Sequence, residues 1–291
     1  MYHHLKIFIL LFAAAPAVWA QTDLARVEFT YFPQSDSDNS FRRFRTFINV
    51  PLKIREEGYL VPGFAYRNIN LKLGDPLPFS ASNKEHFQSL QFSLGYTDIL
   101  KNNWRYVVQG NFTIASNFKR RLNSEDFVYG GTVFFVKDET KNPEMAAPWR
   151  LIVGASYSTI AGRPFPLPVL AYYREFMPDW AYTLGVPKTN IKYNITNKHE
   201  VQAFITLDGF YANIQEDVDV GAATPADTVS MTTLLSGLGY EYYFTKHLVA
   251  YLYAGYTVLN DIRLRDDGGD DVYTLNDSNS FYGRTGLKFK F

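Results

Sequence analysis

Residues 279–291 read NSFYGRTGLKFKF, and splitting them by parity gives two unlike surfaces. Phe281, Gly283, Thr285, Leu287, Phe289 and Phe291 carry no charge, whereas Arg284, Lys288 and Lys290 fall on the other parity with Tyr282 and Gly286. Successive side chains of a strand point to opposite faces, so the stretch predicts a strand with one apolar and one wet side. Such a strand at the edge of a soluble sheet invites aggregation. Closed into a barrel in lipid, it pairs with the first strand and turns its apolar side to hydrocarbon.

The same alternation recurs upstream. Val27, Phe29 and Tyr31 alternate with Arg26, Glu28 and Thr30. Phe44, Ile48, Val50, Leu52 and Ile54 oppose Arg43, Arg45, Asn49 and Lys53. Leu90, Phe92, Leu94 and Tyr96 oppose Ser89, Gln91 and Ser93, and Tyr106, Val108, Phe112 and Ile114 oppose Arg105, Gln109 and Asn111. Further strands are predicted over 126–136, 149–158, 167–176, 200–213, 231–244 and 248–259. The stretch 59–73 is extended, but Pro62 blurs its parity.

This reading predicts an all-β protein, a transmembrane antiparallel β-barrel. A plain count of segments is odd, whereas single-chain bacterial barrels have even strand numbers. Short turns near Pro178 and Asn197 belong at the same end, so the chain between them must cross and return. Gly185-Val186-Pro187-Lys188 is a turn signal at its middle, making 180–186 and 190–196 a short hairpin and the total fourteen. Twelve is the alternative, with that hairpin folded into the lumen or 24–32 outside the wall. Connectors alternate between short ones (55–58, 177–179, 197–198, 245–247) and long polar ones (33–40, 74–85, 117–125, 215–230, 261–278), as periplasmic turns and outer loops do. The connector 137–148 is long where a short one is due.

The opening residues agree. A weakly basic start, an apolar run from Ile7 to Val18 and the small-residue site before Gln21 predict a cleaved signal peptide over 1–20, leaving 21–291 as the barrel. No later stretch approaches a membrane-spanning helix. There are no cysteines, so neither disulfides nor thiolate metal sites are available. The 29 basic residues balance 29 acidic ones, which argues against nucleic acid as a partner. Aromatic residues make up 17% of the chain, as the interfacial girdles of a membrane barrel require.

The ending at Leu287, Phe289 and Phe291 resembles the C-terminal assembly signal of Gram-negative outer-membrane β-barrels. The whole-chain pattern resembles the uncharacterised porin-like outer-membrane barrels of Bacteroidetes-type bacteria. That resemblance implies outer-membrane lipid, lipopolysaccharide and the barrel-assembly machinery as partners, and passive transport as the function.

By parity Arg26, Glu28, Arg43, Arg45, Lys53, Arg105, Asp208, Glu241, Arg284, Lys288 and Lys290 face the lumen. A charge on the lipid face at mid-membrane costs about 2–4 kcal/mol, so inward placement is favoured. Arginine and lysine linings favour anions in pores. Two readings stay open: a path for small polar or anionic solutes, and a barrel braced or plugged by ion pairs and by the bulky Phe47, Phe134, Phe204 and Phe210. A lipid-modifying outer-membrane enzyme is a third, less favoured reading, because His199 and His247 lie at turns and Ser89 lies on the face opposite His86, with no G-x-S-x-G motif. No cofactor is expected. The loop 266–271 is rich in aspartate but lacks the spacing of an EF-hand loop, so a solvated surface loop is expected there, with divalent cations bridging it to lipopolysaccharide as the alternative.

Overall fold

The structure, a computed structural model, describes residues 23–33, 38–80 and 85–290. The predicted signal peptide and Phe291 lie outside the described residues. Fourteen antiparallel strands form one closed barrel. In chain order they are β1 (Asp23–Phe32), β2 (Ser40–Asn49), β3 (Tyr59–Lys72), β4 (His86–Ile99), β5 (Trp104–Ser116), β6 (Phe127–Asp138) and β7 (Trp149–Ser158), then β8 (Phe165–Met177), β9 (Trp180–Val186), β10 (Lys188–Thr196), β11 (His199–Val218), β12 (Ala226–Tyr243), β13 (Leu248–Arg265) and β14 (Phe281–Lys290). Each strand pairs with its chain neighbours, and β14 closes the ring on β1 with Glu28 opposite Gly286 and Thr30 opposite Arg284. Two short segments, Leu52–Lys53 and Asp271–Asn276, pair with β3 and β13 off the ring.

Outward positions are apolar and exposed all round the wall, including Leu94 at 55%, Leu184 at 54%, Leu238 at 70% and Leu252 at 58%. Exposed apolar area this extensive has no place on a soluble monomer, and it is the lipid-facing band of a membrane barrel. At the short-turn end, outward aromatic rings follow one another round the wall. Trp149 packs near Tyr172, Tyr172 near Tyr182, Trp180 on Tyr193 at 4.7 Å, and Tyr242 against Phe244. This is the girdle expected where membrane meets water.

The short hairpin β9–β10 stands where the turn signal at Gly185–Lys188 puts it, and it shapes everything above. Pairing of β10 with β11 stops at Lys188 opposite Thr206. Above that level β10 no longer holds β11, so the upper β11–β12 hairpin is free to lean. It leans inward because Phe210, Ala212 and Ile214, all buried, find apolar neighbours there. Phe210 stacks on Phe41 of β2 at 5.8 Å and lies 6.5 Å from Phe87 of β4. Farther along, Asn213 pairs with Ser116 at the end of β5, on the far side of the ring.

The regions 215–230 and 261–278 therefore depart from the expected polar loops. Most of 215–230 belongs to strands β11 and β12, and 261–265 extends β13. Val218, Val220, Val229, Ile262 and Leu264 are buried in one apolar cluster with Phe32, Phe41 and Phe87, which closes the long-loop mouth. Alternate apolar residues among acidic ones suit a strand whose one side is covered, not a solvated loop. The segment 139–148 stays long at the short-turn end, tied by Lys137–Glu139 at 2.8 Å and Arg150–Asp138 at 2.8 Å.

The loop 159–164 fills the notch beside the leaning hairpin, with Thr232 Oγ1 donating to the Ala161 carbonyl at 2.8 Å. Gly209 sits at that contact, and a Cβ there would meet Met231 O at 2.4 Å and Ile160 O at 2.8 Å. Both neighbours are backbone and cannot rotate away. Gly209→Val is expected to destabilise the fold by about 1–3 kcal/mol, the usual cost of overpacking. A lowered denaturant midpoint in detergent micelles is the readout, and an unchanged midpoint would refute the close approach.

Candidate functional site: the lidded, cation-lined lumen

Two rows of side chains cross β14, β1, β2 and β3 at mid-height, set by the ladder register. One runs Arg284, Thr30, Arg43, Ile69. The next runs Gly286, Glu28, Arg45, Arg67, and continues to Ser89 on β4. Arg43 meets Asp208 of β11 through two bonds, Nη1 to Oδ1 at 2.9 Å and Nη2 to Oδ2 at 2.6 Å. Arg284 Nη2 donates to the same carboxylate. Strands β2 and β11 are five steps apart around the ring, by way of β1, β14, β13 and β12. In a round barrel of this size such strands stand roughly 25 Å apart, farther than an arginine and an aspartate reach together. The barrel is pinched here, where β11 begins to lean.

Glu28, 1% exposed, accepts from Tyr251 Oη at 2.8 Å and from Arg26 Nη1 at 3.3 Å. Its contacts to Arg43 at 3.6 Å and Arg284 at 3.8 Å are longer. A second layer lies toward the short-turn end. There Glu241 accepts from Lys288 Nζ at 2.5 Å and from Gln202 Nε2 at 2.9 Å, with Lys290 at 3.6 Å. Gln202 Oε1 accepts from Lys188 and Asn190, both at 2.9 Å, and Lys192 bonds Glu200 at 2.8 Å. Arg105 stands apart from both layers, donating to the Glu57 carbonyl at 2.9 Å and lining a cavity of about 230 Å³ with Asn49, Gln109 and Phe134.

The structure thus gathers Arg26, Glu28, Arg43, Arg45, Asp208 and Arg284 into one cluster and Glu241, Lys288 and Lys290 into another. Lys53 belongs to neither. It is exposed on the two-residue segment beyond β2, because the strand breaks before Pro51 and leaves it in the turn. Leu287 and Phe289 face outward, at 48% and 38% exposure. Sequence reasoning missed Arg67, Lys188 and Lys192. Arg67 was recoverable, since it shares the odd parity of buried Val61 and Ile69.

The closing hairpin is latched on the opposite wall. Buried Asp126, in a single 3-10 turn capped by Asn123, accepts from Asn213 Nδ2 at 2.9 Å and Gln215 Nε2 at 2.8 Å. The Gln215 amide donates to Asn117 Oδ1 at 3.1 Å, and the Arg120 amide donates to Gln215 Oε1 at 2.6 Å. Burial opposes charge on Asp126, yet the bonds from Asn213, the Asn123 backbone and Gln215 hold its carboxyl below the ordinary aspartate value.

The histidines have other company: His86 contacts Asn70, His199 contacts the Tyr240 hydroxyl, and His247 contacts the Lys290 carbonyl. In the loop 266–271, Asp271 is paired with Arg263 and Arg265, and Asp266 accepts from Thr224 at 2.7 Å. No group of three or more metal-type side chains gathers among the described residues.

A closed fourteen-stranded barrel with an apolar outside and a charged, lidded inside defines a membrane β-barrel protein. Residues 78–290 match the family model of DUF6268, a domain of unknown function, and the chain belongs to that family. No curated protein matches it. Among solved structures it is similar to the NanC porin, with 13% identity, TM-score 0.39, and coverage of 92% of this chain and 100% of that one. It is also similar to a mutant of the TodX monoaromatic hydrocarbon channel, at 10% identity and TM-score 0.39, covering 97% and 94% of the two chains. Outer membrane phospholipase A from Escherichia coli is a third, at 10% identity and TM-score 0.38, covering 91% and 92%. At this depth of similarity no property of those proteins passes to this chain.

Proposed function

We propose that this protein is a porin-like outer-membrane channel for passive movement of small polar or anionic solutes, held shut in this conformation by its own β11–β12 hairpin. The observation that carries the reading is the surplus of cations along the inner wall. Among the described residues, Arg43, Arg45, Arg67 and Arg284 share Glu28 and Asp208 at mid-height. An interior that needed only bracing would match its charges, whereas a path for anions keeps cations in excess. In this reading residues 1–20 are a cleaved leader. Outer-membrane lipid and lipopolysaccharide surround the wall, and the barrel-assembly machinery reads Leu287, Phe289 and Phe291.

Planar-bilayer recording of refolded protein tests it. The expected result is rare opening in the wild type, with a reversal potential in a KCl gradient showing preference for chloride. Silence in both the wild type and a variant lacking residues 214–228 would sink the proposal. The apolar cluster under the hairpin favours a second reading, a permanently closed structural or binding barrel. Liposome swelling separates the two, since only a channel admits small sugars or amino acids.

A further inference from the structure

Arg45 and Arg67 stand directly opposite each other on β2 and β3. Like charges so placed repel, and folding tolerates the arrangement only if something offsets it. Their neighbours do so only in part. Asp208 is taken by Arg43 and Arg284, and Glu28, opposite Arg45 in the ladder, gives one oxygen to Arg26 and Tyr251 while its other oxygen hydrogen-bonds neither Arg45 nor Arg67. Arg45 Nε is buried with no hydrogen-bond partner, and Arg67 makes no hydrogen bond or ion pair among the described residues. Phe47 lies 5.3 Å from the Arg45 guanidinium and steadies its plane. Ser89, 7% exposed, follows in the same row and supplies a hydroxyl beside Arg67.

We propose that Arg45 and Arg67, with Ser89, form a binding site for a small oxyanion: a carboxylate, phosphate or sulfate group. Two planar guanidinium forks on adjacent strands match the paired oxygens of such groups, which a compact halide does not. An anion between them converts the repulsive pair into a charge-assisted bridge. As a subsite for a travelling solute, the site rests on the channel reading above; as a binding site, it is tested apart from it.

Purified full-length protein in detergent micelles is titrated by calorimetry with sodium phosphate, sodium sulfate and sodium acetate, and melted in each against sodium chloride of equal ionic strength. Wild type is expected to bind at least one of the oxyanions and to melt higher in it than in chloride. The double variant Arg45→Gln/Arg67→Gln is expected to bind at least about tenfold more weakly, the loss of one charge-assisted bond or more. In chloride it is expected to melt higher than wild type, because the repulsion is gone. Arg67→Lys, which keeps the charge but not the fork, is expected to fall between them and serves if the double variant fails to fold. Equal melting shifts in wild type and variants, or no shift in wild type beyond chloride, would overturn the site. Oxyanion binding by a barrel that never conducts would remove the channel and keep the site; conduction without oxyanion binding would do the reverse.

Discussion

If the barrel is the channel proposed above, Asp126→Ala is expected to make it open far more often than wild type. Asp126 is the carboxylate on which Asn213 and Gln215 both rest, and both residues are buried, at 1% and 8% exposure. Hydrogen bonds to a charged acceptor are worth roughly 1.5–3 kcal/mol each, and the stranded amides add a desolvation cost. A shift on the order of 3 kcal/mol toward the released hairpin raises the open-to-closed ratio by more than about 100-fold. The apolar contacts of Phe210 with Phe41 and Phe87 survive the change, so flickering openings are expected, not a permanently open pore. Single-channel dwell times measure this directly. Closed times equal to wild type would mean that the apolar cluster alone holds the mouth.

The same residue fixes a pH dependence. In the latched state the Asp126 carboxyl is held below its ordinary value of 3.8, while in the released state it regains that value. A lowered pKa stabilises the state that has it, fully above the ordinary value, and the advantage is lost as pH falls through the lowered one. The hairpin should therefore stay shut across the neutral range and loosen only in strong acid. Asp126→Asn should remove that acid limb while keeping one acceptor, with an opening rate between wild type and the alanine variant.

The wall of this barrel is legible in the sequence because alternation is a local property. Each strand must turn apolar residues to lipid, so Val27, Phe92, Leu238 and Leu252 announce their side whatever the partner strand is. The fourteenth strand was readable for the same reason, through the turn at Gly185–Lys188 and the rule of even numbers. The lid was not. Phe210, Ala212 and Ile214 hold the same parity whether β11 stands upright or crosses the mouth, and only the shortness of β10 tells the two apart. The contacts of Asp208 were equally out of reach, since they depend on a pinch between strands remote in the ring. Arg67 was hidden by a proline five residues earlier that blurred a parity otherwise intact.

That pinch supports the second large effect, expected from Asp208→Asn. The substitution keeps the shape of the side chain and removes its charge, leaving Arg43 and Arg284, 2% and 10% exposed, without their main partner. Breaking a buried pair from one side costs about 3–5 kcal/mol, because the surviving charge stays desolvated. Glu28 replaces only part of that partner, since its contacts to the same two arginines are longer, at 3.6 Å and 3.8 Å. Glu28→Gln should accordingly cost less than Asp208→Asn when both are unfolded by denaturant in micelles. The bond that joins β2 to β11 is lost as well, so the pinch should relax and single-channel conductance should rise in the same variant. High phosphate should restore part of the lost stability, an external oxyanion standing in for the missing carboxylate, where chloride of equal ionic strength should not. If Asp208→Asn unfolds at the wild-type midpoint, water must already screen these arginines, and the cluster would be a hydrated lining instead of a brace across the barrel.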